Sequence, residues 1–273
     1  MNKAGAVVLN YKNYEETINC VKSLLEQDFP DLHIAVVDNG SNNESEAVLR
    51  ETFGKSENVS FVMLNDNLGF AKGNNAGIEF LRKKGCEFIF VVNSDIVFSE
   101  KNIVSQAVSD CESGVGVINF PTVRSNGERE CSTKFSKKYV NLRIMKQLLT
   151  VEFKYLFNIG KSEKKNDTPK TEEIPAKSTI DVSKVNTNEY VVTGCAYCLT
   201  PSYFEKYDGL FGGTFLYFEE YALIIQLSRG HLNTMEMKTA PLIHKHGASS
   251  TNVRTDVARK SARKVLGYAV WGK

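Results

Sequence analysis

The chain opens on a short apolar run, Ala4 to Leu9, followed by the polar cluster Asn10-Tyr11-Lys12-Asn13-Tyr14 and then by Ile18, Val21, Leu24 and Leu25 at helical spacing. A continuous apolar run bounded by turn residues predicts a buried strand, and the spaced stripe predicts an amphipathic helix. The pair then recurs. Ile34 to Val37 is a second strand with Glu44 to Phe53 as its helix, and Val59 to Leu64 is a third, followed by a helix over Phe70 to Lys84 that Gly85 is suited to stop. Phe88 to Val92 predicts a fourth strand, Ile103 to Asp110 a helix and Val115 to Phe120 a further strand. Strands that are apolar throughout and alternate with amphipathic helices are covered on both faces, which predicts an α/β fold with a mostly parallel sheet flanked by helices. Ligands of such sheets bind at the carboxyl ends of the strands. Asn10-Tyr11, Asp38-Asn39 and Asn93-Ser94-Asp95 each follow a predicted strand, so three loops distant in sequence are expected to meet along one edge.

Beyond Phe120 the alternation fades. Tyr139 to Asn158 carries Leu142, Met145, Leu148, Leu149, Phe153, Leu156 and Phe157 at helical spacing, a helix with a broad apolar face. Residues 161–188 are rich in Lys, Glu, Asp, Ser and Thr, include Pro169 and Pro175 and lack a core pattern. They read as a mobile loop, either a solvated insertion or a segment facing an acceptor. Order returns with a strand-like run from Tyr190 to Thr200, a helix over Phe215 to Leu227, one or two strands within Thr234 to Ile243 and a terminal helix over Val253 to Val270.

A length of 273 residues with 42% hydrophobic content allows a full core. The formal charge of +2 gives no broad basic footprint, so nucleic acid is not an expected partner. Six cysteines with no recognisable secretory signal ahead of Lys3 are expected to be reduced thiols of a cytoplasmic protein. Cys195-Ala196-Tyr197-Cys198 spells C-x-x-C, but no second pair accompanies it and both residues read as small core side chains. No apolar run reaches the ~18 residues of a membrane-spanning helix.

Several polar residues are candidates for chemistry. Asp38 can accept from a uracil or thymine N3–H, and Gly40 lets the backbone approach a ligand closely, although Asp-Asn-Gly-Ser is also ordinary turn chemistry. Within the stretch Asn67 to Gly77, Lys72 is available to phosphate and Asn74 to a ligand hydroxyl. The glycine spacing fits neither a dinucleotide fingerprint nor a P-loop. Asp95 is a hard oxygen donor suited to Mg²⁺ or Mn²⁺, and Asn93 can bind a ribose or a metal-bound water. His244 is a candidate second ligand, while His246 would point to the other face of a strand. Glu219 and Glu220 open a helix, and only one of two adjacent acids can face a cleft, where an apolar setting suits it to act as general base.

In order along the chain, these motifs resemble the family 2 inverting glycosyltransferases of GT-A fold, especially the rhamnosyltransferase-like branch of bacterial surface-polysaccharide synthesis. The resemblance rests on Val7-Val8-Leu9-Asn10-Tyr11, Val36-Val37-Asp38-Asn39-Gly40-Ser41, Asn67-x-Gly69-Phe70-Ala71-x-Gly73-Asn74-Asn75-x-Gly77-Ile78, Asn93-Ser94-Asp95, Thr193-Gly194, Phe215-Leu216-Tyr217-x-Glu219-Glu220 and His244-x-x-Gly247-x-Ser249. It implies that Asn10, Asp38, Gly40, Lys72, Asn74 and Asn93 hold a UDP- or dTDP-sugar, that Asp95 and His244 bind Mg²⁺ or Mn²⁺, and that Glu220 is the catalytic base. It further implies a GT-A domain over 1–250, with 1–120 as the nucleotide-binding half and 121–250 as the half for a glycan or lipid-linked acceptor. A basic helix at 251–273 follows, and its residues 254–273 are a candidate peripheral contact with the inner face of the cell membrane.

Two departures stand out. The family pattern Glu-Asp-x-Asp-Leu is here Glu219-Glu220-Tyr221-Ala222-Leu223, and the Gly-Gly-Phe-Asp-Glu approach to it is altered to Gly209-Leu210-Phe211-Gly212-Gly213-Thr214. They leave open a non-catalytic nucleotide-sugar-binding subunit of a polysaccharide assembly complex. A sugar-1-phosphate nucleotidyltransferase would need a basic, Gly-rich loop after the first strand, which Asn10 to Tyr14 is not.

Overall fold

The computed structural model describes residues 2–156, 184–186, 188–245 and 255–272. The first half follows the expected alternation: β1 (Ala4–Asn10), α1 (Tyr14–Leu25), β2 (Leu32–Asn39), α2 (Ser45–Phe53), β3 (Val59–Leu64), α3 (Phe70–Lys83) and β4 (Phe88–Asn93). Gly85, at a φ of 83°, closes the turn after α3. There follow β5 (Ile96–Val97), α4 (Ile103–Ser109), β6 (Val115–Asn119), β7 (Thr122–Arg124), β8 (Thr133–Ser136) and α5 (Val140–Leu156). The remainder comprises β9 (Lys184–Asn186), β10 (Glu189–Val192), β11 (Ala196–Leu199), α6 (Pro201–Phe204), α7 (Glu219–Gly230), β12 (Asn233–Glu236), β13 (Leu242–His244) and α8 (Thr255–Trp271).

The main sheet has the order β3-β2-β1-β4-β11-β6-β12-β9. Its first four strands are parallel, β11 runs antiparallel between β4 and β6, and β12 is parallel to β6. Successive side chains feed two cores. Val7, Val37, Ile89 and Val91 pack with Ile78 of α3, Ile144 and Leu148 of α5, Ile224 of α7 and Val265 of α8. Ala6, Val8, Val36, Phe90 and Val92 pack with Val21 and Leu24 of α1, Leu49 of α2 and Ile103 and Val104 of α4. Coverage on both faces is why these strands are apolar at every position.

The structure corrects four expectations. The run from Tyr190 to Thr200 is two strands in different sheets, parted at Thr193-Gly194-Cys195: β10 pairs with β8, whereas β11 pairs with β4 and β6. Part of the predicted loop 161–188 is strand, since Lys184–Asn186 pairs with β12; residues 157–183 and 187 lie outside the described residues. The helix predicted from Phe215 begins only at Glu219, because Tyr217 and Phe218 adopt left-handed conformations (φ 75° and 69°) that a helix cannot contain. Finally, β5, β7 and β8 are too short to show a period and went unpredicted.

Two side-chain amides tie loops to this frame. Asn39 donates from Nδ2 to Asn67 Oδ1 (3.0 Å) and Gly69 O (3.3 Å), and its Oδ1 accepts from Leu68 N–H (3.0 Å). Asn75 on α3 donates to Leu210 O (2.8 Å) and accepts from Leu210 N–H (2.8 Å). Gly69, at a φ of 83°, leaves room for the Phe215 backbone against the start of α3, where Phe70 N–H donates to Phe215 O (2.7 Å). The segment leading to Glu219 and Glu220 is thereby anchored to α3.

Candidate active site

β1, β2 and β4 end in register, Asn10 opposite Asp38 and Leu9 opposite Asn93, so the three strand-end loops meet at one edge as expected. Asn10 Nδ2 donates to Asp38 Oδ2 (2.6 Å), Ser41 N–H donates to Asp38 Oδ1 (2.8 Å), and Thr17 Oγ1 donates to Asn10 Oδ1 (2.8 Å). Both carboxylate oxygens are thus oriented by the protein, each with a lone pair to spare. Gly40 has a φ of 68°, and a Cβ there would collide with the Asp66–Asn67 backbone, so the close approach it permits is made by the neighbouring loop. Asn93 N–H donates to Cys195 O (2.9 Å). Asn74 is fully buried; its Nδ2 donates to Phe70 O (2.9 Å), and its Oδ1 has no partner among the described residues. Lys72 is exposed beside Gly212.

Asp95 and His244 are brought together by strand pairing. β13 runs antiparallel to β5 with His244 opposite Ile96, and Lys245 N–H donates to Asp95 O (2.8 Å). His244 Nε2 then lies 3.2 Å from Asp95 Oδ2, both side chains being nearly buried. On the other side of the ring, Nδ1 lies 2.5 Å from Glu130 Oε2. Glu130 returns toward β13 because its N–H donates to Thr122 O (2.9 Å) while β7 pairs in parallel with β13. Burial disfavours a charge on His244, but hydrogen bonds to Asp95, Cys195 and Glu130 outweigh it and push the imidazole up to about 12. Each ring nitrogen thus faces the carboxyl group of a different residue, Nε2 that of Asp95 and Nδ1 that of Glu130.

These residues fit a hard divalent cation. Two donors at right angles, each ~2.1 Å from the ion, stand about 3 Å apart, close to the observed Asp95–His244 separation. Carboxylate oxygen and imidazole nitrogen both suit Mn²⁺, and Glu130 orients the ring as outer carboxylates orient ligating histidines. His246, Gly247 and Ser249 lie outside the described residues.

The Thr193-Gly194-Cys195 turn joins this cluster to the acids of α7. Thr193 N–H donates to the buried Asn119 Oδ1 (3.0 Å), and Cys195 Sγ lies 3.6 Å from Glu130 Oε2. Glu220 packs on Gly194 so closely that a Cβ there would collide with its Oε1. Burial raises the Glu220 carboxyl above the ordinary range. Burial and the neighbouring Glu220 charge push Glu219 to about 7, and Glu219 Oε1 has no partner among the described residues. Nothing in the sequence marks Glu130, which sits in a polar hairpin. For Cys195 the available signal was the isolated glycine before it in an apolar run. Cys198 is a core residue as expected, and all six cysteines are free thiols.

The model of the family described as glycosyl transferase family 2 matches residues 6–161, more than half of the chain. The chain belongs to glycosyl transferase family 2. Two curated proteins align with parts of this family 2 chain. The bifunctional glycosyltransferase pgtA of Dictyostelium discoideum is 28% identical over 99 residues, covering 36% of this chain and 13% of that protein. The teichoic acid poly(glycerol phosphate) polymerase of Staphylococcus epidermidis is 29% identical over 80 residues, covering 29% and 11%. The chain thus spans only a small share of either relative's length. Its fold is similar to that of GT-A glycosyltransferases. Residues 1–349 of S. aureus TarS in complex with UDP superpose with a TM-score of 0.55 at 14% identity, over 90% of this chain and 61% of that one. The mannosyltransferase PcManGT from Pyrobaculum calidifontis in complex with GDP-Man and Mn²⁺ gives 0.58 at 10% identity, over 97% and 69%. Among the described residues of this family 2 chain, no helix is long and apolar enough to cross a membrane.

Proposed function

We propose that this chain transfers a sugar from a UDP- or dTDP-linked donor to a hydroxyl of a glycan or lipid-linked acceptor, with inversion, in the synthesis of a cell-surface polysaccharide; a rhamnosyl donor is the first specific case to test. The observation that carries this reading is the sharing of one sheet edge by the Asn10–Asp38 pair, the Asp95–His244 pair and, through the Gly194 turn, Glu220. Asp38, oriented by Asn10 and Ser41, accepts from the base, and Asn93 faces the ribose. Lys72 offers its exposed ammonium to the diphosphate, whereas the buried Asn74 acts by shaping α3. Asp95 and His244 hold Mg²⁺ or Mn²⁺, which when bound offsets the charge of the departing diphosphate. Glu220, raised by burial, takes the acceptor proton while the hydroxyl attacks opposite the leaving group. Residues 1–120 serve the nucleotide and 121–250 the acceptor. Similar structures holding UDP, or GDP-Man with Mn²⁺, support this donor class.

The test is release of nucleoside diphosphate from UDP-, dTDP- and GDP-sugars, with Mn²⁺ or EDTA, alongside calorimetric donor binding. Metal-dependent turnover of one donor establishes the activity. Binding without turnover, even with a lipid-extract acceptor, favours the non-catalytic subunit. Ala222, which motivated that alternative, is buried in the core, so an acid there would face the interior.

Gly194 is not among the residues of positive φ, so a methyl group at this position causes no backbone strain and acts only through the space it takes from Glu220. Gly194→Ala is expected to lower kcat by about 10–10²-fold, the cost of misplacing a reacting group by roughly 1 Å, with donor affinity kept. An unchanged kcat would detach Glu220 from the chemistry.

A lipid-linked acceptor would bring the protein to a membrane surface. α8 buries Ala262, Val265 and Tyr268 against the core and exposes Lys260, Arg263, Lys264 and Trp271. Deleting the helix would open the core, so charge reversal is the cleaner test. Basic residues near an anionic leaflet each contribute about 1 kcal/mol, so Lys260→Glu, Arg263→Glu and Lys264→Glu together are expected to weaken sedimentation with phosphatidylserine vesicles by at least ~10²-fold. Equal sedimentation of variant and wild type removes this contact.

A further inference from the structure

The imidazole of His244 has two nitrogens, and a hard cation shared with Asp95 takes only Nε2 as a ligand. A carboxylate oxygen of Glu130, Cys195 Sγ and a ring nitrogen of His244 lie within 4.8 Å of one another, and Glu130 Oε2, which faces Nδ1, also faces the sulfur. The nitrogen and oxygen are 2.5 Å apart, and the sulfur and oxygen 3.6 Å. Cys195 and His244 are buried and Glu130 is half-buried, so the cluster is largely withdrawn from water. Zinc bound to sulfur, nitrogen and oxygen at ~2.0–2.3 Å sets its ligands about 3.3–3.7 Å apart in a tetrahedron. The sulfur–oxygen separation already matches. The nitrogen–oxygen pair needs to open by somewhat less than ~1 Å once the proton between them has gone. A thiolate, an imidazole and a carboxylate form a borderline-soft donor set that prefers Zn²⁺ to Mg²⁺ or Mn²⁺.

We propose that Glu130, Cys195 and His244 Nδ1 form a second cation site, selective for Zn²⁺-like ions, whose occupation excludes a hard cation from Asp95 and His244 Nε2. A neutral imidazole offers a lone pair on one nitrogen only. Zn²⁺ at Nδ1 displaces the thiol proton and any proton on Nδ1, so the ring proton that remains sits on Nε2 and donates to Asp95 Oδ2. The side of the ring that faces Asp95 is then a donor and no longer a ligand. Zn²⁺ therefore acts as an inhibitor through the residue that the hard cation also needs. The exclusion rests on the reading of Asp95 and His244 given above; the soft site itself does not.

Cobalt substitution in the full chain tests the site, because Co²⁺ bound to a thiolate gives a charge-transfer band in the near ultraviolet that Zn²⁺ then abolishes. The band is expected in wild type, in Asp95→Asn and in Cys131→Ser, which removes the exposed thiol beside Glu130, and it is expected to be lost in Cys195→Ser. Absence of the band in wild type, its survival in Cys195→Ser or its loss in Asp95→Asn each overturns the proposal. Should Cys195→Ser fail to fold, Glu130→Gln replaces it, with Co²⁺ affinity expected to fall at least ~10-fold and an unchanged affinity counting against the site. Manganese binding followed by electron paramagnetic resonance tests the exclusion: Zn²⁺ releases bound Mn²⁺ from wild type, and simultaneous binding of both ions overturns it. A cobalt band in a protein that never binds Mn²⁺ leaves the soft site standing and removes the hard-cation assignment.

Discussion

Glu220→Gln is expected to leave donor affinity unchanged and to lower the rate of sugar transfer by about 10²–10⁴-fold, the range associated with loss of a positioned general base. Glutamine has nearly the shape of the acid, so the contact with Gly194 and the start of α7 are preserved. What disappears is the basic oxygen. Burial raises the Glu220 carboxyl, so wild-type activity should climb with pH through a value above the ordinary carboxylate range, where the group ionises, and that limb should vanish in the variant. Removing the Glu220 charge also relieves Glu219, whose proton affinity is raised by burial and then by its neighbour. Transfer at the wild-type rate in Glu220→Gln would exclude Glu220 as base; Glu219→Gln would then be the variant to measure.

Asp95→Asn is expected to cost on the order of 10²–10³-fold in kcat/KM, because charge stabilisation by a bound cation amounts to several kcal/mol. Treating wild type with EDTA should produce a similar loss, and EDTA should cost the variant little more. Metal dependence persisting at wild-type strength in Asp95→Asn would place the cation elsewhere. The substitution has a second signature without metal. The folded His244 value, up to about 12, lies above the unfolded one of about 6.5, so this group's contribution is fully present below 6.5 and is lost as pH rises toward 12. With Asp95 neutralised the imidazolium loses one partner. The metal-free variant should therefore melt below metal-free wild type, and the gap should hold through neutral pH and close only as pH rises past the variant's own folded value toward 12.

Much of this arrangement was legible where one local rule decides. Val7-Val8 and Val91-Val92 announce buried strands, and Gly85 a helix stop, because burial on both faces and a left-handed turn each constrain residue type directly. The convergence of Asn10, Asp38 and Asn93 followed from the sheet rule alone. Asp95 and His244 were named as a pair by the family resemblance and by no local rule, since their meeting depends on pairing between two strands too short to show a period. Glu130 was invisible for the same reason: its position comes from a hairpin hydrogen bond to Thr122, not from a repeating pattern. The start of α7 was misjudged because Tyr217 and Phe218 are neither of them residues that ordinarily accept a left-handed backbone. Their conformation is imposed by the segment that Asn75 and Gly69 fasten to α3.

The insertion of β11 between β4 and β6 has a consequence for how this protein is made. β4 is apolar on both faces, and its second edge stays bare until Ala196–Leu199 can pair with it. About a hundred residues separate the two strands, so on a ribosome adding 5–20 residues per second the open edge persists for roughly 5–20 s. An unpaired apolar edge is a template for association with other chains. A fragment ending at residue 161, where the family match stops, would carry that edge permanently, and it would lack Glu220 and His244 as well. Soluble production therefore calls for a chain that extends past Leu199, or for a chaperone that shields β4 during the wait.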